Sequence, residues 1–292
     1  MNNNKSILLT IDVEDWFQVE NFKPWIPFSS WTDYKLRVEK NTHNLLNLFD
    51  TCGSTNNSIQ TTFFILGWVA KKLPQLVLEI QSRGHEVASH GYYHNRCDQQ
   101  IFSDLKKDLE NSKKLLEDIT GSPVIGYRAP SFAVNNDILK LIEDCGYLYD
   151  SSYNSFSLHD RYGSLDLSKS IKKQAAYQLS EKFYEIPVSN LKLKTRNMEL
   201  PWSGGGYFRL IPLGLFTAGV NIILKRNNAY IFYMHPWEID PDQPKVDNAP
   251  AFFKFRHYLN LKSTKKKLFK FIEKFKQHRF LTCSDYINHQ FH

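Results

Sequence analysis

The sequence predicts an α/β protein built as a single (β/α) barrel, and three observations carry that prediction. Short apolar runs alternate with longer amphipathic segments along the chain, the pattern of parallel strands joined by helices. Four of the apolar runs end in unusual polar residues, as barrel strands do where they open onto one shared face. No Gly-rich phosphate loop follows the first run, so the rival doubly wound open sheet lacks its usual fingerprint.

The elements follow in order. Ser6 to Ile11 reads as the first strand, Tyr34 to Phe49 as a helix ended near Gly53, and Thr61 to Leu66 as the second strand. Pro74 to Ser82 is a helix stopped by Gly84, and Glu86 to Ser89 is a short strand leading into His90. Ser103 to Ile119 is strongly periodic, with Ser103 as N-cap and Gly121 past its end. Val124 to Tyr127 is a strand, and Asn136 to Cys145 is a helix closed by Gly146. Ser155 to Gln178 is irregular and reads as a loop insertion near residues 155–180. Tyr184 to Val188, the apolar helix Leu213 to Lys225 and the strand Ala229 to Met234 come next. Residues 250–292 form a basic, helical C-terminal segment, with a helix over Lys262 to Gln277 and a last strand near Leu281. No internal repeat or low-complexity linker divides residues 1–292, which read as one catalytic domain.

Composition bounds the function. The 292 residues are 42% hydrophobic, enough for one sizeable core. The net charge of +7 sits largely in the late basic segment and reads as a solvated face. Nucleic-acid binding needs a contiguous basic stripe interleaved with aromatics, and the sequence has none. Cys52, Cys97, Cys145 and Cys283 have neither zinc-knuckle nor disulfide-framework spacing, and read as free thiols of a reducing compartment. The N-terminus lacks a signal-peptide pattern, and no apolar stretch reaches the ~20 residues of a membrane span. The reading is therefore a cytoplasmic protein.

The polar strand ends carry the chemistry. They read Thr10-Ile11-Asp12-Val13-Glu14-Asp15-Trp16, Ser89-His90-Gly91-Tyr92-Tyr93-His94, Gly126-Tyr127-Arg128-Ala129-Pro130 and Tyr233-Met234-His235-Pro236-Trp237. His90 and His94, four apart, meet on one side of a helical turn and can share a metal ion. A catalytic zinc wants three protein ligands and one open position, so one carboxylate from the Asp12, Glu14 and Asp15 cluster would complete the set. Asp12 and Glu14 share a strand face, so one can bind metal while the other stays free as a base. Arg128 sits where it can hold a carboxylate in place, and His235 ends a strongly apolar strand.

These motifs resemble those of the polysaccharide deacetylases, the NodB-homology or carbohydrate esterase family 4 group, from about Ile7 to Trp237. The His90-to-His94 spacing resembles that family's metal motif, Arg128-Ala129-Pro130-Ser131-Phe132 its Arg-x-Pro motif, and Met234-His235 its Leu-x-His motif. Three departures stand out. The first motif takes the Asp-Val-Glu-Asp-Trp form, Gly91 replaces a Ser or Thr, and only Asp150 stands near the place of the fourth motif. The strings Asp12 to Gln18, Asp150-Ser151-Ser152, Trp202 to Arg209 and His235 to Glu238 are most similar to a subgroup tied to bacterial exopolysaccharide clusters.

The resemblance implies a seven-stranded, distorted (β/α) barrel of the NodB-homology type. It implies Zn²⁺ or another divalent transition metal on Glu14, His90 and His94, with Asp15 as the alternative carboxylate. Asp12 is then the general base, His235 the proton donor and Arg128 the residue that orients Asp12, with a backbone N–H near Tyr92 or Tyr93 on the oxyanion. The substrate implied is an N-acetylated glycan or lipid-linked sugar. Trp16, Tyr92, Phe132, Trp202, Tyr207 and Trp237 are the aromatic candidates for its sugar faces. The Lys262 to Lys276 helix reads as a packed outer helix, and its sharper reading is attraction to the anionic inner face of a membrane. The rival functions are hydrolysis of a small amide such as a cyclic imide or ureide, and a non-catalytic glycan-binding relative.

Overall fold

The structure, a computed structural model, describes residues 5–53, 58–156, 162–192 and 199–291. It opens with β1 (Ser6–Val13), buried along its whole length, as suits an apolar run in a parallel sheet covered on both faces. The chain continues through α1 (Val38–Cys52), β2 (Thr61–Ile65), α2 (Gly67–Lys72), α3 (Pro74–Ser82), β3 (Glu86–Ser89), α4 (Phe102–Thr120), β4 (Gly126–Tyr127), α5 (Asn136–Asp144) and β5 (Tyr149–Asp150). The second half holds β6 (Ile171–Lys173), β7 (Ala176–Gln178), β8 (Tyr184–Glu185), β9 (Asn190–Lys192), β10 (Glu199–Pro201), α6 (Gly205–Leu210) and α7 (Leu213–Asn227). It ends with β11 (Ala229–Met234), α8 (Ala251–Tyr258), α9 (Leu261–Phe275), β12 (Arg279–Phe280) and α10 (Cys283–Phe291).

Strands β11, β1, β2, β3, β4, β5 and β8 lie side by side in that order, all parallel. They curl into a distorted partial barrel, the fold class the sequence predicts. The two ends approach through Ser189: its N–H bonds the Ile231 carbonyl at 3.3 Å, and its hydroxyl accepts the Ile231 N–H at 2.9 Å. Alternation along β1 splits its side chains between two layers. Ile7, Leu9 and Ile11 join the cluster under the helices, with Phe63, Phe232 and Phe271. Leu8 joins the interior cluster with Phe64 and Ile231, and that face also carries Thr10 and Asp12 toward the site.

Two features differ from the sequence reading, and the packed outer helix it expects is present. Helix α4 starts at Phe102 behind Ile101, which provides no side-chain cap, so Ser103 is inside the helix. The 155–178 stretch, described at 155–156 and 162–178, contains a β6–β7 hairpin whose second strand pairs antiparallel with β8. All three β6 residues are exposed, so no apolar alternation marks that strand in the sequence. The basic helix α9 buries Leu268, Phe271 and Ile272. All four cysteines are free, and among the described residues no helix is long and apolar enough to cross a membrane.

Gly126 of β4 faces the fully buried Tyr149 of β5 across the ladder, and a Cβ there would fall on the Tyr149 ring. Gly126→Ala should therefore destabilise the protein by about 1–3 kcal/mol through overpacking. Chemical denaturation checks this, and an unchanged midpoint would contradict the packing.

Candidate active site and metal centre

The C-terminal ends of β1, β3 and β11 converge on a cavity of about 170 Å³ lined by Asp12, Glu14, His90, His94 and His235. Glu14 lies one residue past β1, and its N–H turns back to the Asp12 carbonyl at 2.9 Å. That turn keeps both carboxylates on the cavity. His90 and His94 meet through an irregular loop, not the helical turn expected, with Gly91 at φ +73° and His94 at φ +55°. The loop is held from two sides. At the start of α2, the N–H groups of Gly67 and Trp68 bond the carbonyls of Gly91 (2.8 Å) and Tyr92 (3.1 Å). From α4, the buried Asp108 accepts the Tyr92 N–H at 2.9 Å. A Cβ on residue 91 would lie 2.9 Å from Asp108 Oδ1, so both the backbone angle and this approach require glycine.

Glu14 Oε1 lies 3.3 Å from His90 Nε2 and 3.2 Å from His94 Nε2. One donor atom from each of the three residues falls within 4.8 Å of the others. His90 Nδ1 bonds the Arg128 carbonyl at 2.7 Å. A carbonyl only accepts, so Nδ1 carries the proton and Nε2 presents a bare lone pair to the centre, the tautomer a metal needs. Burial opposes the Glu14 charge, yet the His94 and His235 imidazoles outweigh it and hold the carboxyl well below its usual range. Two imidazoles and one carboxylate, buried and aimed at one point, fit a divalent metal ion.

Two buried ion pairs flank the triad. Asp12 Oδ1 accepts from Arg128 Nη1 at 2.8 Å. Arg128 is fully buried and also donates to Thr10 Oγ1 (2.6 Å), the Ser151 carbonyl (2.8 Å) and Ser151 Oγ (2.8 Å). On the other flank, His235 Nε2 lies 3.3 Å from Glu14 Oε1 and 4.0 Å from Asp12 Oδ2, while its Nδ1 meets Glu238 Oε1 at 2.9 Å. Burial disfavours the imidazolium, but Glu14 and Glu238 prevail and raise the His235 pKa well above its ordinary value. Glu238 is in turn paired with the buried Arg209 at 2.8 Å. Asp108, Glu238 and Arg209 received no role from the sequence. The available signal was a charge inside otherwise apolar or aromatic runs: Asp108 on the buried face of α4, and Arg209 and Glu238 in the Trp202 to Arg209 and His235 to Glu238 strings.

Other candidates have different roles. Asp15 is not at the triad. Its carboxylate accepts the N–H groups of Trp16 (2.9 Å), Arg37 (2.6 Å) and Val38 (2.8 Å), capping α1, because the chain leaves strand geometry after Val13. Asp150 accepts from the Ser152 N–H (2.8 Å) and hydroxyl (2.7 Å), next to Glu185, whose carboxyl burial and the Asp150 charge raise well above its usual range. Through Ser152 it holds the Ala129 N–H, next to Ser151, which holds Arg128. Of the two N–H groups expected on an oxyanion, that of Tyr92 is taken by Asp108. Phe132, Tyr207 and Trp237 line the cavity; Trp16, Tyr92 and Trp202 do not. Trp16 packs edge-on against Phe17 and Tyr34. Trp202 stacks on Phe216 and donates to its carbonyl at 2.8 Å. Tyr92 packs its ring over Gly67.

A family model described as polysaccharide deacetylase matches residues 3–149, half of the chain. The chain belongs to the polysaccharide deacetylase family. A second model, described as a domain of unknown function (DUF3473), matches residues 151–288. The triad and Asp12 fall in the polysaccharide deacetylase stretch, whereas Arg209, His235 and Glu238 come from the second. The peptidoglycan deacetylase-like protein FGM2 of Gibberella zeae is 33% identical over 108 residues, which is 37% of this chain and 31% of that protein. The chain covers 31 to 43% of the length of the curated relatives it matches. A Mycobacterium smegmatis protein described as a polysaccharide deacetylase superposes with a TM-score of 0.62 at 19% identity, over 99% of this chain and 92% of that one. The PuuE allantoinase superposes with a TM-score of 0.60 at 12% identity, over 99% and 91% of the two chains. At these identities the likeness is one of fold.

Asp108 supports the two-histidine loop without touching the triad, so Asp108→Ala should weaken divalent-metal affinity by about 10–100-fold, as loss of an outer support does. Titration against a chelator-buffered metal measures this. An unchanged dissociation constant would mean the loop keeps its shape without Asp108.

Proposed function

We propose that the chain is a metal-dependent deacetylase acting on an N-acetylated amino sugar of a bacterial surface or exported polysaccharide, or of its precursor. The products are acetate and a free amino sugar. The observation that carries this reading is the presence, in one cavity, of a buried three-ligand set together with Asp12 and His235, which the ligand set does not need. Family membership and the motif order agree with it, as does the resemblance of the first motif to the exopolysaccharide-associated subgroup. Zinc is the proposed native metal, because two imidazoles and one carboxylate are a catalytic zinc donor set. The whole chain is proposed as one catalytic unit, which the β1–β11 ladder and the placement of His235 support.

Glu14, His90 and His94 would hold the metal, which supplies Lewis acidity toward the acyl oxygen and makes a bound water more acidic. Asp12, oriented by Arg128, takes the proton from the attacking water. His235 Nε2, held toward the cavity by the Nδ1 bond to Glu238, gives its proton to the departing amine. The Phe132 and Tyr207 rings offer apolar faces to the sugar, whereas Trp237 is stacked on His235 and His257. A second reading, hydrolysis of a cyclic imide or ureide, draws on the modest cavity of about 170 Å³, which has room for about one ring.

The test is acetate release from a panel of N-acetylated oligosaccharides and lipid-linked sugars, with and without chelator, and parallel turnover assays on a cyclic imide and a ureide. Acetate release that chelator abolishes and zinc restores is expected, and Asp12→Asn should lower kcat by about 10²–10⁴-fold while retaining metal. Turnover indifferent to chelator, or a fully active Asp12→Asn, contradicts the mechanism. Turnover of the imide or ureide alone moves the assignment to the second reading.

A further inference from the structure

Two arginines line the cavity, and they differ in their partners. Arg209 is fully committed: it pairs with Glu238 at 2.8 Å and donates to the carbonyls of Arg256 (3.0 Å), His257 (2.8 Å) and Leu259 (2.6 Å). Arg256, on α8, has no comparable partner among the described residues. Among the described residues no carboxylate lies within 4.0 Å of its guanidinium. The guanidinium is 5.6 Å from the Phe252 ring centroid, in cation–π range. Glu20 also lines the cavity, but its ion pair is with Lys23, at 3.8 Å.

Arg256 is also fixed in place. Its carbonyl is bound by Arg209, and the next residues of α8 pack on the connection after β1, where the Phe22 ring lies 4.6 Å from His257 and 6.1 Å from Tyr258. Arg256 is thus a half-buried cation on a fixed backbone that opens onto the cavity holding the triad. The cavity wall also has room: a Cβ added at Gly206, another lining residue, would meet no atom within 4 Å. Guanidinium groups bind carboxylate and phosphate oxygens through paired, charge-assisted hydrogen bonds, which neutral hydroxyls cannot match.

We propose that Arg256 recognises an anionic group, a carboxylate or a phosphate, carried by the substrate beside the acetamido sugar. The site then prefers acidic glycans to neutral ones. This rests on the reading of the cavity as an amino-sugar deacetylase, so the test separates binding from turnover. Binding is measured by calorimetry on the zinc-loaded full chain carrying Asp12→Asn, with and without Arg256→Gln or Arg256→Lys. The probes are a neutral N-acetylated oligosaccharide, the same oligosaccharide with a neighbouring uronic acid, and an N-acetylated glycosyl phosphate.

The chain with Arg256 intact should bind at least one acidic probe about tenfold or more tighter than the neutral one, the size of one added charged hydrogen bond. Which acidic probe gains tells carboxylate from phosphate. Arg256→Gln should collapse that ratio toward one, Arg256→Lys should keep part of it, and high salt should compress it. Equal binding of all three probes, or a preference that survives Arg256→Gln, overturns the inference. Arg256-dependent binding without acetate release from any probe by the Asp12-containing chain would instead count against the deacetylase reading and leave the anion site standing.

Discussion

The site depends on one buried carboxylate. Glu14 is 2% exposed and lies within 3.3 Å of the Nε2 atoms of His90, His94 and His235. A carboxylate so far from water is costly unless cations or strong donors surround it. Much of the local architecture can be understood as the means of surrounding it. The turn after β1 delivers the carboxylate, the loop after β3 delivers two imidazoles, and the end of β11 delivers the third. These strands are neighbours of β1 or one strand removed, so a small region of the sheet assembles the centre.

Around that carboxylate the charges are arranged in chains. Asp12 leads to Arg128 and on to Ser151, whose hydroxyl donates to the Ile186 carbonyl. His235 leads to Glu238 and on to Arg209, which ties the end of α6 to the α8–α9 corner. Each chain fixes the orientation of one side chain that faces the cavity, and each ends on backbone carbonyls, so Asp12, Arg128, Glu238 and Arg209 all have charged partners. The two matched stretches of the chain therefore share one site: the first supplies the triad and Asp12, the second supplies His235 with its support.

The fold class was legible because it rests on periodicity. Buried strands such as β1 and β11 read as continuous apolar runs, and α4 as a 3.6-residue repeat. Strand β6 was not legible, because its residues are exposed and carry no alternation. Within the site, residues at strand ends could be found, since a polar group closing an apolar run is conspicuous. The geometry of His94 could not, because it depends on a left-handed loop held by Asp108 from a distant helix. Trp16 and Trp202 illustrate the reverse difficulty: an aromatic in a motif looks the same whether it faces the cavity or, as these do, packs in the core. Arg256 was also hidden, since the role proposed for it rests on the absence of a counter-charge among the described residues, which no linear pattern expresses.

The central claim is that Glu14, His90 and His94 form one metal site. Metal analysis of the purified chain, stripped with chelator, reloaded with zinc and desalted, tests it most directly. About one equivalent of zinc per chain is expected for a single three-ligand centre, with near-complete loss in both Glu14→Gln and His90→Ala while the fold persists by circular dichroism. Stoichiometric zinc retained by both variants, or none taken up by the unaltered chain, would contradict it.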